Sequence, residues 1–228
     1  MAANPPKPIR VWITPPGPNP WKVIWLFEEL GLNYEIKSFR VDDVKKKPFI
    51  NINPNGRVPA IEDPNTGITL WESGAIYQYL IEVYDTEKRL SYDSLNERHL
   101  CNQWLHFQMS GQGPYYGQVS WFAHLHPEKI PSAIERYVNE VRRILGVLET
   151  VLSKKPADAQ WLVGDKMTFA DMAFMPWNFR LSDVLTLSWD EVWKDTPHVR
   201  AWHERMVELP SWKRSMDHRA RLIDEQGL

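Results

Sequence analysis

A proline two residues before the end of a four-residue apolar run, Val58-Pro59-Ala60-Ile61, constrains this chain more than any other feature. Proline has no amide proton for a strand ladder, so within a sheet it is confined to edges, strand starts and bulges. A cis bond before it marks a tight bend. The turn residues Asn55-Gly56-Arg57 precede the run, and Glu72-Ser73-Gly74-Ala75 begins eleven residues after Ile61. Val58 is then left with a backbone amide and carbonyl free to pair outside the sheet. Glu72 and Ser73, at a helix start, supply a complementary half, because first-turn amides are unpaired and favour a carboxylate. Such an arrangement suits holding a peptide-like molecule by its backbone.

Ile9 to Ile13 is β-branched and aromatic, precedes the proline-rich stretch Thr14 to Pro20, and reads as a first strand. Trp21 to Leu30 carries apolar residues at helical spacing and stops at Gly31, a residue suited to a left-handed C-cap. Tyr34 to Phe39 reads as a second strand, parallel to the first if the helix is a crossover. Lys45 to Ile52 is ambiguous. Val58 to Ile61 and Ile68 to Leu70 predict a hairpin around Asp63, Pro64, Asn65 and Gly67. Glu72 to Tyr84 returns to helical spacing, giving the order β-α-β-α-β-β-α. The polar stretch Asp85 to Ser94 is expected to be a linker.

Strand signals fade beyond Leu95. Glu97 to Gln108 is helical in composition, and Ile134, Val138, Val141, Leu145, Leu148 and Leu152 form one apolar stripe at spacings of four and three. Between them, Met109 to Gln118 holds Gly111, Gly113, Pro114 and Gly117, which oppose helical continuation and predict a break. Thr168-Phe169-Ala170-Asp171 is close to a capping box and is read as a folding element.

A net charge of -2 and a pI of about 6.4 give no support for a nucleic-acid partner, which shows as a basic patch. Cys101 is the single cysteine, so an internal disulfide, a Cys-x-x-Cys motif and a cysteine metal cluster are excluded. His124 and His126 lack a Cys or Glu partner at helical spacing, and no metal is expected. Neither a signal-like apolar segment at Met1 to Lys7 nor a run of eighteen apolar residues occurs. No membrane partner and a cytoplasmic location are the expectation. Twelve tryptophans are high for 228 residues and fit core packing or an aromatic-walled pocket.

The Val58-Pro59 and Glu72-Ser73 pair resembles the glutathione site of the cytosolic glutathione transferases. Trp161 to Asp165, Thr168 to Asp171 and Pro176-Trp177 resemble the buried capping region of their C-terminal domains. The resemblance covers nearly the whole chain. It implies a thioredoxin-like α/β domain at 8–86 joined to an all-helical domain at 93–228, and a homodimer. The loop Pro18-Asn19-Pro20-Trp21-Lys22 looks most like the bacterial nu class and the fungal transferases related to the yeast nitrogen regulator, which share Pro-Asn with a lysine three residues after the asparagine.

That likeness implies glutathione as cofactor or substrate and assigns roles residue by residue. Asn19 would contact the glutathione sulfur. Val58 and Pro59 would hold the peptide backbone, and Glu72 and Ser73 the γ-glutamyl end. Lys45, from the run Lys45 to Lys47, would meet the glycyl carboxylate. Ser132 to Tyr137 matches the same relatives, in which the arginine reaches across the dimer, so Arg136 is a candidate from the partner subunit. Phe107, Tyr115, Tyr116, Trp121 and Phe122 are the expected wall for an apolar electrophile. Gly17 departs from the pattern, standing where bacterial relatives carry a threonine, and leaves Thr14 as the only hydroxyl in the loop.

A free thiol has a pKa of about 8.5, so this chemistry requires a protein that favours the thiolate. The leading expectation is conjugation to an apolar electrophile, in fungal detoxification or secondary metabolism. Alternatives are glutathione-dependent cis-trans isomerisation of a conjugated double bond, disulfide oxidoreduction, and a non-catalytic regulatory protein. The regulatory reading expects a long asparagine-rich segment before the first strand, where this sequence has Met1 to Pro8.

Overall fold

The structure is a computed structural model and describes residues 6–156 and 159–228; Met1 to Pro5, part of the stretch read for a signal sequence, lies outside them. β1 (Ile9–Ile13) sends Ile9, Val11 and Ile13 into the core and leaves Arg10 and Trp12 half-exposed, the alternation of a strand with one covered face. Then follow α1 (Asn19–Leu30), β2 (Tyr34–Ser38), α2 (Phe49–Ile52), β3 (Ala60–Asp63), β4 (Ile68–Trp71) and α3 (Ser73–Tyr84). The sheet order is β2-β1-β3-β4, with β1 parallel to β2 and antiparallel to β3, and β3 antiparallel to β4. This is the thioredoxin-like arrangement. The ambiguous segment at Lys45 to Ile52 resolves as a turn leading into the single helical turn of α2.

The remaining elements are helical: α4 (Leu95–Phe107), α5 (Gly113–Ser120), α6 (Pro131–Leu152), α7 (Phe169–Asn178), α8 (Leu181–Leu185), α9 (Trp189–Trp193), α10 (Pro197–Val207) and α11 (Pro210–Glu225). The chain divides into two compact units, one made of Met1–Thr86 with Glu208–Leu228, the other of Glu87–Val207.

In the first unit every residue of α1 from Pro20 to Phe27 is buried, with α3 and α11 packed against it. Trp25 meets Trp212 edge to face at 5.1 Å and donates its indole N–H to Ser211 Oγ at 3.0 Å. Arg214 pairs with Glu28 at 2.6 Å. α11 carries a tryptophan and small hydroxyls that complete the core around α1 and so groups with the first unit. Gly31 closes α1 in the left-handed region at φ 67°, its N–H donating to the Phe27 carbonyl, as its sequence position predicts.

In the second unit α6 buries Val141, Ile144, Leu145, Leu148 and Leu152, the lower part of the apolar stripe. All ten residues of α7 are buried, and its start is tied by the capping box. Asp171 Oδ2 accepts from the Thr168 amide and hydroxyl, both at 2.9 Å, while Oδ1 accepts from Leu162 N and Trp202 Nε1, both at 2.9 Å. Leu90, in the expected linker, is buried and its carbonyl accepts from Phe169 N at 3.0 Å, so the second half of that stretch is part of the helical unit.

The break expected over Met109 to Gln118 is not found. The chain stays helical through a wider π-helical turn at Gln108–Gln112, with Pro114 in the first turn of α5, where a missing N–H costs little. The wide turn is held by buried amides: Gln108 Nε2 donates to Gln112 Oε1 at 2.9 Å, and Gln112 Nε2 to Asn178 Oδ1 at 2.7 Å. A second π-helical turn spans Trp121–Leu125.

Candidate functional site

Sheet register assembles the site in the first unit. β1 and β3 pair Trp12 with Ala60, and β3 and β4 pair Ala60 with Trp71. Thr14, Val58 and Ser73 lie just past the ends of these paired strands, β1 ending at Ile13, β3 beginning at Ala60 and β4 ending at Trp71. The loop after β1, the turn before β3 and the start of α3 are thus brought to one end of the sheet, the carboxyl end of β1, where open α/β sheets hold ligands.

The bond between Val58 and Pro59 is cis, and β3 begins at Ala60, so the ladder does not use the amide or carbonyl of Val58. The turn before it is braced from within. Asn53 Nδ2 donates to the Arg57 carbonyl at 2.5 Å, and Asn53 Oδ1 accepts from Asn55 N at 2.9 Å. Gly56 sits at φ 59°, and a Cβ there would come within 2.6 Å of Lys45 Cδ and 2.8 Å of the Val44 carbonyl. Only glycine fits. Lys45 itself is exposed and donates to the Asn55 carbonyl at 2.6 Å, so its ammonium buttresses the turn.

Glu72 lies in the positive-φ region, φ 72° and ψ 115°, immediately before α3. A non-glycine residue held there costs about 1–3 kcal/mol. Its carbonyl accepts the Ile76 amide at 2.9 Å, its side chain is exposed and Ser73 is buried. Beneath Ser73 lies a residue to which sequence reasoning assigned no role. Lys22, on α1, is 1 % exposed and its Nζ donates to Ser73 Oγ at 3.4 Å. Tyr77 on α3 donates its hydroxyl to the Lys22 carbonyl at 2.9 Å. Burial lowers the Lys22 ammonium to about 7, with the Glu72 charge acting in the opposite direction. Two sequence signals existed: Lys22 is the single charge within the run Trp21 to Phe27, and it is the lysine three residues after Asn19 in the resembling loop.

Asn19 is half-buried and is the first residue of α1 rather than part of the loop before it. It is one helical turn from Lys22, which links it through Ser73 to the start of α3. The loop is fixed by Trp21, whose indole N–H donates to the Pro15 carbonyl at 2.8 Å. Thr14 is buried just beyond β1, and a Cβ added to Gly17 would stand 3.8 Å from Thr14 Oγ1, in ordinary contact. α1 is twelve residues long, so its amino end carries the partial positive charge of an extended dipole.

In the second unit the expected aromatic wall divides. Tyr115 and Phe122 both lie against Tyr137, at 6.2 and 5.7 Å. Trp121 is 46 % exposed and meets His126 edge-on. Phe107 packs with Trp104 and Phe174. Tyr116 does not belong to a wall: it is fully buried at 6.2 Å from Trp177, because it turns to the inner side of α5. Arg136 is exposed and paired with Glu140 at 2.5 Å along α6. Burial pushes the Cys101 thiol up to about 11. Among the described residues no group of three or more His, Cys, Asp or Glu could hold a metal ion, and no helix is long and apolar enough to cross a membrane.

The arrangement can seat a short peptide with a carboxylate at the start of α3, a backbone pairing with Val58, and a nucleophilic atom at the amino end of α1. Comparison with known proteins points to one family. Residues 7–82 match the model of the glutathione S-transferase N-terminal domain and residues 114–210 that of the C-terminal domain. The glutathione S-transferase-like protein gedE of Aspergillus terreus is 47 % identical over 205 residues, covering 88 % of this chain and 90 % of its own. Among solved structures, the glutathione transferase URE2P6 of Phanerochaete chrysosporium, in complex with oxidized glutathione, is 43 % identical with a TM-score of 0.88, covering 95 % of this chain and 98 % of its own. Ure2p5 of the same organism, cocrystallized with 1-(S-glutathionyl)-2,4-dinitrobenzene, is 39 % identical with a TM-score of 0.85, covering 96 % and 97 %.

Proposed function

The chain belongs to the glutathione S-transferase family, and from that premise we propose that it binds glutathione in its first unit and activates the thiol for attack on an apolar electrophile. The observation that carries this reading is that Val58 stands outside the ladder, before a cis proline at the start of β3, while the sheet brings the end of β1 and the start of α3 to the same end. Val58 pairs with the cysteinyl backbone of glutathione, as a strand edge pairs with an added peptide. Ser73 and the first amides of α3 receive the γ-glutamyl carboxylate, and exposed Glu72 receives its ammonium.

The thiol then lies at the amino end of α1, beside Asn19. An amide can donate to a thiolate but cannot take the proton, so Asn19 contributes about 1 kcal/mol. The helix dipole and nearby amides favour the anion further. The thiol proton leaves to solvent; the thiolate then forms a C–S bond at the electrophilic carbon, and the leaving group departs with its bonding pair or, on addition, the adduct's carbanion takes a proton from water. Arg136 serves a partner subunit in a homodimer.

The test is to incubate the protein with glutathione and a 1-halo-2,4-dinitrobenzene, following adduct formation above the uncatalysed rate. A conjugated polyene is offered with catalytic glutathione in parallel. Saturable adduct formation supports conjugation, and rearranged double-bond geometry with no adduct assigns the same thiolate to isomerisation. Glutathione binding with neither product leaves a binding protein, and the activation proposed here fails.

A further inference from the structure

We infer that Lys22 is a positioning residue of the γ-glutamyl pocket: its buried ammonium holds the Ser73 hydroxyl in place and makes binding of the ligand's α-carboxylate proton-coupled. The inference rests on the glutathione reading and adds a residue and a pH dependence to it. Two observations on the structure support it. Lys22 is 1 % exposed within a helix segment whose other members, Trp21 and Val23 to Phe27, are apolar core. A buried ammonium is retained at high cost unless a charge or hydrogen bond compensates it. The contact it makes is directed at the start of α3, 3.4 Å from Ser73 Oγ.

A serine hydroxyl that accepts from an ammonium can pass its own proton on as a donor. Ser73 opens α3, where the ligand's carboxylate is to be received, so the order of donation runs from Lys22 to Ser73 to carboxylate. Removal of the ammonium takes away one hold on the Ser73 hydroxyl and deprives the bound carboxylate of a nearby positive charge.

The charged surroundings fix the sign. Glu72, at the start of α3, is the charge whose field reaches Lys22. Tyr77, also on α3, spends its hydroxyl on the Lys22 carbonyl and is pushed well above its ordinary value by burial, so it does not ionise near neutrality. From α11, Arg214 is taken up by Glu28 and His218 by Tyr34 at 3.1 Å. Burial brings Lys22 close to neutrality without ligand. An arriving carboxylate raises it, so binding takes up a proton, and affinity is greatest below about pH 7 and falls as pH rises through the bound value.

The experiment is titration calorimetry with S-methylglutathione, which has no thiol to titrate, from pH 6 to pH 9 in buffers of differing ionisation heat. Wild type, Lys22→Met and Ser73→Ala are compared, together with the S-methyl peptide lacking the α-carboxylate. Replacing a buried ion with an apolar side chain of similar size is often neutral for folding, so Lys22→Met is expected to fold. Wild type should take up a fraction of a proton, and Lys22→Met should bind about tenfold more weakly with no uptake. The difference should vanish for the ligand without the carboxylate. Unchanged affinity and proton uptake in Lys22→Met, or an equal loss for both ligands, overturns the inference while the glutathione reading stands. A wild-type affinity that is flat across the range with no uptake overturns it without any variant, and absence of wild-type binding overturns both.

Discussion

Replacing Asp171 by alanine tests the packing argument for the second unit. The carboxylate is fully buried and accepts four hydrogen bonds at 2.9 Å, from the Leu162 and Thr168 amides, the Thr168 hydroxyl and the Trp202 indole. Burial pushes its carboxyl up, against these hydrogen bonds, which favour the charge. The alanine variant strips three N–H donors of their acceptor, and each buried orphan costs about 1–3 kcal/mol. Taking the lower end, because the neighbours relax and the Thr168 hydroxyl can turn, the loss is about 3–5 kcal/mol. Against a domain stability of about 5–15 kcal/mol, that is enough to leave a fraction of the protein unfolded at growth temperature. An asparagine at this position keeps one acceptor oxygen but turns its amide toward a pair of donors, so Asp171→Asn should cost roughly half as much. Urea unfolding at neutral pH, followed by tryptophan fluorescence and circular dichroism, measures both. A shift below about 1 kcal/mol for Asp171→Ala with an unchanged m-value would refute the reasoning that these four bonds anchor α7.

Three further outcomes follow from the same structure. His203 is buried between Trp189 and Trp193, at 5.2 and 5.4 Å, and burial lowers it to about 3. Its folded value lies below the unfolded one of about 6.5, so its stabilising effect is present above that pH and is lost as pH falls. Stability should drop by about 2 kcal/mol from pH 6.5 to pH 5, and His203→Phe should flatten that limb in denaturation measured against pH. Gly56→Ala places a Cβ 2.6 Å from Lys45 Cδ at a positive φ; about 1–2 kcal/mol of strain should appear as a lower melting temperature and weaker glutathione affinity. Gly17→Thr meets nothing closer than 3.8 Å at its Cβ; it should fold normally and, by a hydrogen bond of about 1 kcal/mol, lower the pKa of the bound thiol by under one unit, read from thiolate absorbance.

Much of the first unit is legible in the chain because its signals are local. Gly31 stops α1, Gly56 turns the chain at a position only glycine fits, and Pro59 excludes Val58 from the ladder. The capping box at Thr168 is likewise a short-range pattern, and the structure adds the Leu162 and Trp202 contacts that no spacing encodes. What sequence reasoning missed depends on tertiary partners. Asn19 enters α1 because Pro18 and Pro20 have φ values suited to a helix start, so the prolines that read as loop also nucleate the helix. The glycines and proline at 111 to 117 predict a break, yet the buried Gln108, Gln112 and Asn178 amides stabilise a π-helical turn that carries the helix through them. α11 reads as part of the helical half, but its partner is Trp25, in a segment far away in sequence. Lys22 could be seen as an anomaly in an apolar run, while its contact with Ser73 needed the fold.

The central claim is that this chain holds glutathione with its thiol at the amino end of α1 and favours the thiolate there. The direct test is the ultraviolet absorbance of the bound thiolate, titrated from about pH 5 to pH 9 around the free value of about 8.5. Wild type is compared with Asn19→Ala at saturating glutathione. The account predicts a bound thiol well below 8.5 in wild type, and an upward shift of less than one unit in Asn19→Ala, because the amide supplies the smaller part. A bound thiol that titrates like the free one would contradict it.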